Sequence, residues 1–199
     1  MQLVNFDDPL PIDQPRRFTV AGPSGSGKSS LARTIAARLE IPYVELDALY
    51  HGPEWTVRET WQEEVLDFIA GPEWAIEWQG EEVREQMTGR AQVLVWLDHS
   101  RVTVTSRVVR RTVRRRFGGS PLPNGLQEGP LRTFFTDPDH IIKWSWRYHE
   151  KIRNRVKRVI AEDNHPGLVI VRLRGQREVD AWLRGPFAAA TSSGEPQRR

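Results

Sequence analysis

No cysteine occurs among the 199 residues. That absence excludes disulfides, thiolate-bound metals and a cysteine nucleophile at once. Histidines number only five, and neither His51 nor His99 has partners at ligand spacing, so no histidine–carboxylate metal cluster is expected. Long apolar runs are also missing. Val93-Leu94-Val95-Trp96-Leu97 is among the longest, far short of the roughly 20 residues a membrane helix needs. The first residues, with Pro9, Pro11 and Pro15 around Asp7 and Asp8, lack a positive-then-apolar leader. A soluble cytoplasmic protein without a membrane partner is the expectation. Acidic residues are absent between Asp98 and Glu128, whereas Arg101, Arg107, Arg110, Arg111, Arg114, Arg115 and Arg116 crowd positions 101–116 of that interval. A second basic run holds Lys143, Arg147, Lys151, Arg153, Arg155, Lys157 and Arg158, with Glu150 its lone acid. The formal net charge is nevertheless only +3, so the basic character is local.

Against these absences stands one complete motif. Gly22-Pro23-Ser24-Gly25-Ser26-Gly27-Lys28-Ser29 is a G-x-x-x-x-G-K-S phosphate-binding loop. Upstream, Phe18-Thr19-Val20-Ala21 reads as a buried strand. Downstream, Leu31, Ile35 and Leu39 with Ala32 and Ala36 form one apolar helix face. Strand, glycine turn and helix start aim free backbone N–H groups at one point, which is also the positive end of the helix dipole. The loop residues Gly22 to Ser29 with Ser30 would cradle the phosphates of a nucleoside triphosphate. Lys28 would reach the β- and γ-phosphates, and the Ser29 hydroxyl would sit on Mg²⁺. No N-K-x-D guanine motif occurs, which favours ATP.

Length suits one domain. Residues 1–15 resist regular structure and are expected to be an extension; residues 188–199 are small and polar and are expected to be a disordered tail. Between them, strands at 43–46, 74–78, 93–97 and 168–173 alternate with helical patterns. Thr56-Val57-Arg58-Glu59 reads as a capping box before Trp61, Val65, Phe68 and Ile69. Ser100 would cap a helix whose Val102, Val109 and Val113 share a side, and a long helix is expected over 139–162. Such alternation means a parallel sheet covered on both faces, with the ligand beyond the carboxyl ends of its strands.

Arg107, Arg111 and Arg115 are spaced four apart and share a helical face. A solvated basic face is the bland explanation, but guanidinium groups bind phosphate bidentately, and the phosphate loop favours that role. Of the eight tryptophans, Trp61, Trp144, Trp146 and Trp182 fall in core-like helical positions. Trp55 and Trp78 lie near the expected cleft, where either would stack on an acceptor base.

With these residues assembled, the chain resembles the adenylate-kinase-like small P-loop kinases, and within them is most similar to the topology modulation proteins. The resemblance runs from about Phe18 to Leu183. It is carried by G-P-S-G-S-G-K-S, by L-D-A-L-Y-H-G-P-E-W from Leu46, by V-W-L-D from Val95, by the arginine helix and by K-W-S-W-R-Y from Lys143. It implies an α/β, three-layer P-loop NTPase fold with a five-stranded parallel sheet and a helical arginine-rich lid at about 101–138. It also implies that Asp47, after the second strand, contacts the acceptor; a carboxylate there can orient a hydroxyl or take its proton. A helix-capping Asp47 is the alternative. Glu77 is the better-placed metal-site acid, because its strand neighbours the phosphate-loop strand in such kinases, and Asp98 is the weaker candidate. Relatives carry an acidic-Gly-Asn sequence after the third strand, where this chain has Glu77-Trp78-Gln79-Gly80.

The expected activity is therefore Mg²⁺- and ATP-dependent phosphotransfer to a small molecule, most readily a nucleotide or nucleoside-like compound. Lys28, Asp47, Arg111 and Arg115 would act on the reacting groups, and Arg107 would bind the nucleotide. Two rivals stand beside it: a nucleic-acid-associated regulator held by the basic runs, although no helix-turn-helix or RNA-binding signature is present, and a simple ATPase. Neither the acceptor's identity nor the oligomeric state is encoded in a recognisable pattern.

Overall fold

The computed structural model describes residues 1–52, 56–118 and 141–192; the side chains of 112, 113, 115–118 and 141–147 lie outside the description. Its strands are β1 (Gln2–Val4), β2 (Arg17–Ala21), β3 (Tyr43–Val44), β4 (Trp74–Glu77), β5 (Val93–Leu97) and β6 (Val169–Leu173). Its helices are α1 (Lys28–Leu39), α2 (Leu46–Tyr50), α3 (Trp61–Ala70), α4 (Arg84–Arg90), α5 (Arg101–Gly118), α6 (Ile141–Glu162), α7 (Gln176–Arg184) and α8 (Pro186–Ser192).

Successive side chains of a strand point to opposite faces, and all five residues of β5 are buried. Val93, Val95 and Leu97 enter one core, while Leu94 and Trp96 enter the other. A strand apolar on both faces needs a layer on each side. α1, α7 and α8 cover the first face through Leu31, Ile35, Trp182 and Phe187. α2, α3, α4 and α6 cover the second through Leu46, Trp61, Val65, Met87 and Val156. The sheet is wholly parallel, in the order β1-β6-β5-β2-β4-β3. β2 is therefore central, with β4 and β5 on either side, and the phosphate loop leaves its carboxyl end.

The expected three-layer α/β architecture is present, but with six strands instead of five. The additional strand is β1, from the segment read as an extension. Gln2, Leu3 and Val4 pair with Val169, Ile170 and Val171, and Phe6, Leu10 and Ile12 pack against the core. At the other end the sequence past 187 begins as helix: α8 forms because the Phe187 ring inserts between Phe18 and Trp182, with centroids 5.8 and 5.0 Å away. Burying such a ring is worth about 2 kcal/mol. Residues 193–199, the remainder of the expected tail, lie outside the described residues.

Three local expectations are corrected. The second strand ends at Val44, so Asp47 sits in the first turn of α2. The capping box at Thr56 is not formed: α3 starts at Trp61, and Glu64 accepts from Thr60 Oγ1 and Arg58 Nη2. On α5 the buried stripe is Val104 and Val108, whereas Val102 is 72 % exposed. Ser100 does cap α5, accepting from the Thr103 N–H at 3.2 Å.

Candidate functional site

The phosphate loop closes because Gly25 and Gly27 adopt left-handed backbone, φ 81° and 100°. α1 begins directly after Gly27 without a side-chain cap, so its first-turn amides have no acceptor inside the helix. Gly25 also carries a packing demand. A Cβ there would fall 2.6 Å from Val108 Cγ2 and 2.9 Å from the Val104 carbonyl. α5 thus lies against the loop at a distance that only glycine permits. Pro23 accepts from the Ser26 N–H and, at 3.4 Å, from Lys28 Nζ. Ser24 and Ser29 are half-buried, Ser26 is buried and Ser30 is exposed.

Burial lowers the Lys28 pKa, and the nearby charge of Arg111 lowers it further; Asp47 and then Glu77 act in the opposite direction. One lysine, two carboxylates and one guanidinium therefore share a locale at the mouth of the loop. Sheet order explains it: Val20 is in register with Glu77 on neighbouring β4, and α2 follows β3 at the sheet edge. Glu77 is fully buried, accepting from the Tyr43 hydroxyl at 2.9 Å and from the Leu46 N–H at 3.1 Å. It thereby fixes the start of α2 and the residue after it, Asp47. Burial, reinforced by Glu77, raises the Tyr43 pKa well above the usual phenol range, so that hydroxyl keeps its proton. Asp47 is exposed and accepts from Gln79 Nε2 at 3.2 Å. Gln79 and Tyr43 were not anticipated as site residues; Gln79 stands in the run that replaces the relatives' acidic-Gly-Asn sequence.

Asp98 is placed differently. Its side chain is only 5 % exposed and pairs with Arg172 at 2.5 Å and Arg153 at 3.2 Å. Both arginines approach from elements remote in sequence, so the Asp98 carboxylate, the weaker of the two metal-site candidates, is engaged in ion pairs. The expectation for Trp78 is corrected. It is buried in the second core and donates Nε1–H to Thr88 Oγ1 at 2.9 Å, so it does not project into the cleft as a stacking platform. Trp55 and the side chains of Arg115, Trp144 and Trp146 lie outside the described residues.

Arg107 touches the loop directly. Its Nη1 donates to the Ser26 carbonyl at 3.1 Å and meets His99 Nδ1 at 3.2 Å, and its Nη2 donates to Gln176 Oε1 at 3.1 Å. His99, set aside from sequence as a lone histidine, is buried, and burial with the neighbouring Arg107 charge pushes its pKa down to about 4.

The donor set has the chemistry of a hard cation. Ser29, Asp47 and Glu77 offer oxygen only, and Mg²⁺ is ordinarily held by one or two protein oxygens together with substrate phosphates and water. No cluster of three or more histidine, aspartate or glutamate residues forms a dedicated metal cage among the described residues. The residues present therefore fit Mg²⁺ arriving with a nucleotide better than a resident ion. No helix among the described residues is long and apolar enough to cross a membrane.

Residues 18–70 match the cytidylate kinase family. The matched stretch comprises the phosphate loop, α1, β3, α2 and α3. Cytidylate kinase of Maridesulfovibrio salexigens is 39 % identical over 59 residues, covering 28 % of this chain and 26 % of that protein. The bifunctional pantoate ligase/cytidylate kinase of a Synechococcus species is 38 % identical over 60 residues, covering 24 % of this chain and 11 % of that protein. The chain thus spans about a quarter or less of the length of these curated relatives. Among solved structures, a gluconokinase from Sinorhizobium meliloti aligns over 91 % of this chain and 97 % of its own, at 20 % identity and TM-score 0.49.

Proposed function

We propose that this protein is an ATP-dependent phosphotransferase acting on a small-molecule acceptor, of nucleotide or nucleoside-like character, in the manner of the topology modulation proteins that its sequence resembles. The observation that carries the reading is the glycine-shaped phosphate loop at the carboxyl end of β2, with Lys28 within electrostatic reach of Asp47, Glu77 and Arg111. The cytidylate kinase likeness over residues 18–70 supports it, since that stretch holds both the loop and Asp47.

In this reading the loop amides and Lys28 hold the β- and γ-phosphates, a task of positioning and charge neutralisation. Burial and the nearby Arg111 lower the Lys28 pKa, while the Asp47 and Glu77 carboxylates act against that shift. Mg²⁺, bound through Ser29 with Asp47 or Glu77 behind it, would supply further neutralisation of the phosphates. Asp47, held by Gln79 and by the Glu77 contact to Leu46, orients the acceptor hydroxyl and takes its proton; if the acceptor is itself a phosphate, Asp47 positions it and no base is needed. Arg111, whose charge is felt at Lys28, acts on the transferring group; Arg115 is the further candidate on the same helix.

The test is transfer of labelled γ-phosphate from Mg-ATP to nucleoside monophosphates, nucleosides and small hydroxylated metabolites. Label on one of these compounds supports the reading. Label released only as inorganic phosphate makes the protein an ATPase, and salt-sensitive nucleic-acid binding without any turnover overturns the reading in favour of a regulator.

A further inference from the structure

His99 lies in the bend between β5 and α5, only 1 % exposed. Its surroundings define its chemistry. Guanidinium nitrogens only donate, so the 3.2 Å contact with Arg107 Nη1 requires His99 Nδ1 to be the acceptor. The ring is therefore neutral and carries its proton on Nε2. Its own carbonyl is met by His149 Nε2 at 2.9 Å; a carbonyl only accepts, so His149 donates. α6 thus holds the backbone at His99 while the ring holds Arg107.

Arg107 Nη1 has two hydrogens, and each has a partner: the His99 ring and the Ser26 carbonyl. A trans peptide holds its C=O and N–H in one plane, pointing in opposite directions. Fixing the Ser26 carbonyl toward Arg107 therefore fixes the N–H of the same Ser26–Gly27 peptide, that of Gly27, pointing away from it, one peptide before the Lys28 amide. Without an acceptor at His99, one guanidinium hydrogen loses its partner in a part-buried place, and only the Ser26 carbonyl and Gln176 Oε1 are left to orient the fork.

We propose that His99 is a positioning residue of the phosphate loop: by accepting from Arg107 it orients the guanidinium that holds the Ser26 carbonyl, and so presets the Gly27 amide for the phosphates of a nucleoside triphosphate. The inference rests on the phosphotransferase reading and extends it to a residue that touches neither nucleotide nor acceptor. Neutral His99 suits the task, because an imidazolium would offer Arg107 a second donor and a like charge.

Calorimetric titration with Mg-ATP and with its β,γ-imido analogue tests it, alongside thermal melting. His99→Leu keeps the bulk and removes the acceptor; it should weaken nucleotide binding about tenfold, the loss expected for one hydrogen bond to a charged group. His99→Asn sets an amide oxygen where Nδ1 lies and should stay within about threefold of wild type. His99→Leu should add little further loss on an Arg107→Gln background, because both changes break one linkage. Wild-type affinity in His99→Leu, equal losses in His99→Leu and His99→Asn, or additive losses with Arg107→Gln would each overturn the proposal. Should His99→Leu fail to fold, His99→Asn against His99→Gln decides: retention in the first and loss in the second support the proposal, and equal behaviour overturns it. Wild-type protein that binds no Mg-ATP overturns both the nucleotide reading and this inference; binding without phosphoryl transfer overturns only the former's kinase step.

Discussion

Replacing Asp98 by Asn separates its two possible roles. The carboxylate is almost wholly buried and accepts from Arg172 Nε at 2.8 Å and Nη2 at 2.5 Å, with Arg153 Nε 3.2 Å from its other oxygen. Asn keeps the shape but removes the charge, leaving two guanidiniums to face each other across a neutral amide. Breaking a buried pair by removing one partner costs about 3–5 kcal/mol. Here the arginine side chains are 25 % and 35 % exposed, so water recovers part of that cost, and about 2–3 kcal/mol is expected. For a chain of this length each kcal/mol moves Tm by about 2–4 °C, so Asp98→Asn should melt about 4–12 °C below wild type. Mg-ATP affinity, measured well below that melting point, should change less than about threefold, because the Asp98 carboxylate is taken up by Arg172 and Arg153. Differential scanning calorimetry with nucleotide titration makes both measurements on one preparation. An unchanged Tm together with loss of Mg²⁺-dependent nucleotide binding would refute the ion-pair assignment and return Asp98 to the metal site.

Lys28→Ala should cost about 2 kcal/mol or more in nucleotide binding or turnover while the fold survives, since the lysine lies outside both apolar cores; equilibrium binding and a melting curve check it. Asp47→Asn should depress phosphotransfer at least about tenfold with near-normal Mg-ATP affinity, and unchanged transfer would show Asp47 to be structural. The neutral, buried His99 predicts a pH response. Its pKa falls from 6.5 in the unfolded chain to about 4 in the fold, so between those values the unfolded state binds the extra proton and stability declines as pH falls. The gap corresponds to about 3 kcal/mol, all of it lost by about pH 4 and none of it above about pH 7; urea unfolding across that range should lose this slope in His99→Asn.

How much of this was legible in the sequence follows from the range of each interaction. The phosphate loop and its flanking strand and helix are written in one contiguous stretch, and the alternation of β5 between two cores is visible in five consecutive letters. β1 was not legible because three residues followed by a proline-rich stretch carry no pattern; what makes them a strand is pairing with β6, more than 160 positions away. α5 offered two valine stripes, Val102 with Val109 and Val104 with Val108, and helical periodicity cannot choose between them. The choice is made by Gly25, whose missing Cβ leaves room for the second stripe alone. Asp98 ends a hydrophobic strand just as a metal-site acid would. Only the arrival of Arg172 from the neighbouring strand and Arg153 from α6 shows which partners it has.

The contact between α5 and the phosphate loop has a mechanical consequence. Val104, Arg107 and Val108 seat the first two turns of that helix on Gly25 and Ser26, so they cannot swing without dismantling the loop that grips the nucleotide. Arg110 and Arg111 follow directly after Val108 on the same helix, so the seated root fixes where that stretch of α5 leaves the loop. That helix is thereby a wall of the phosphate loop, fitted to it across a single glycine.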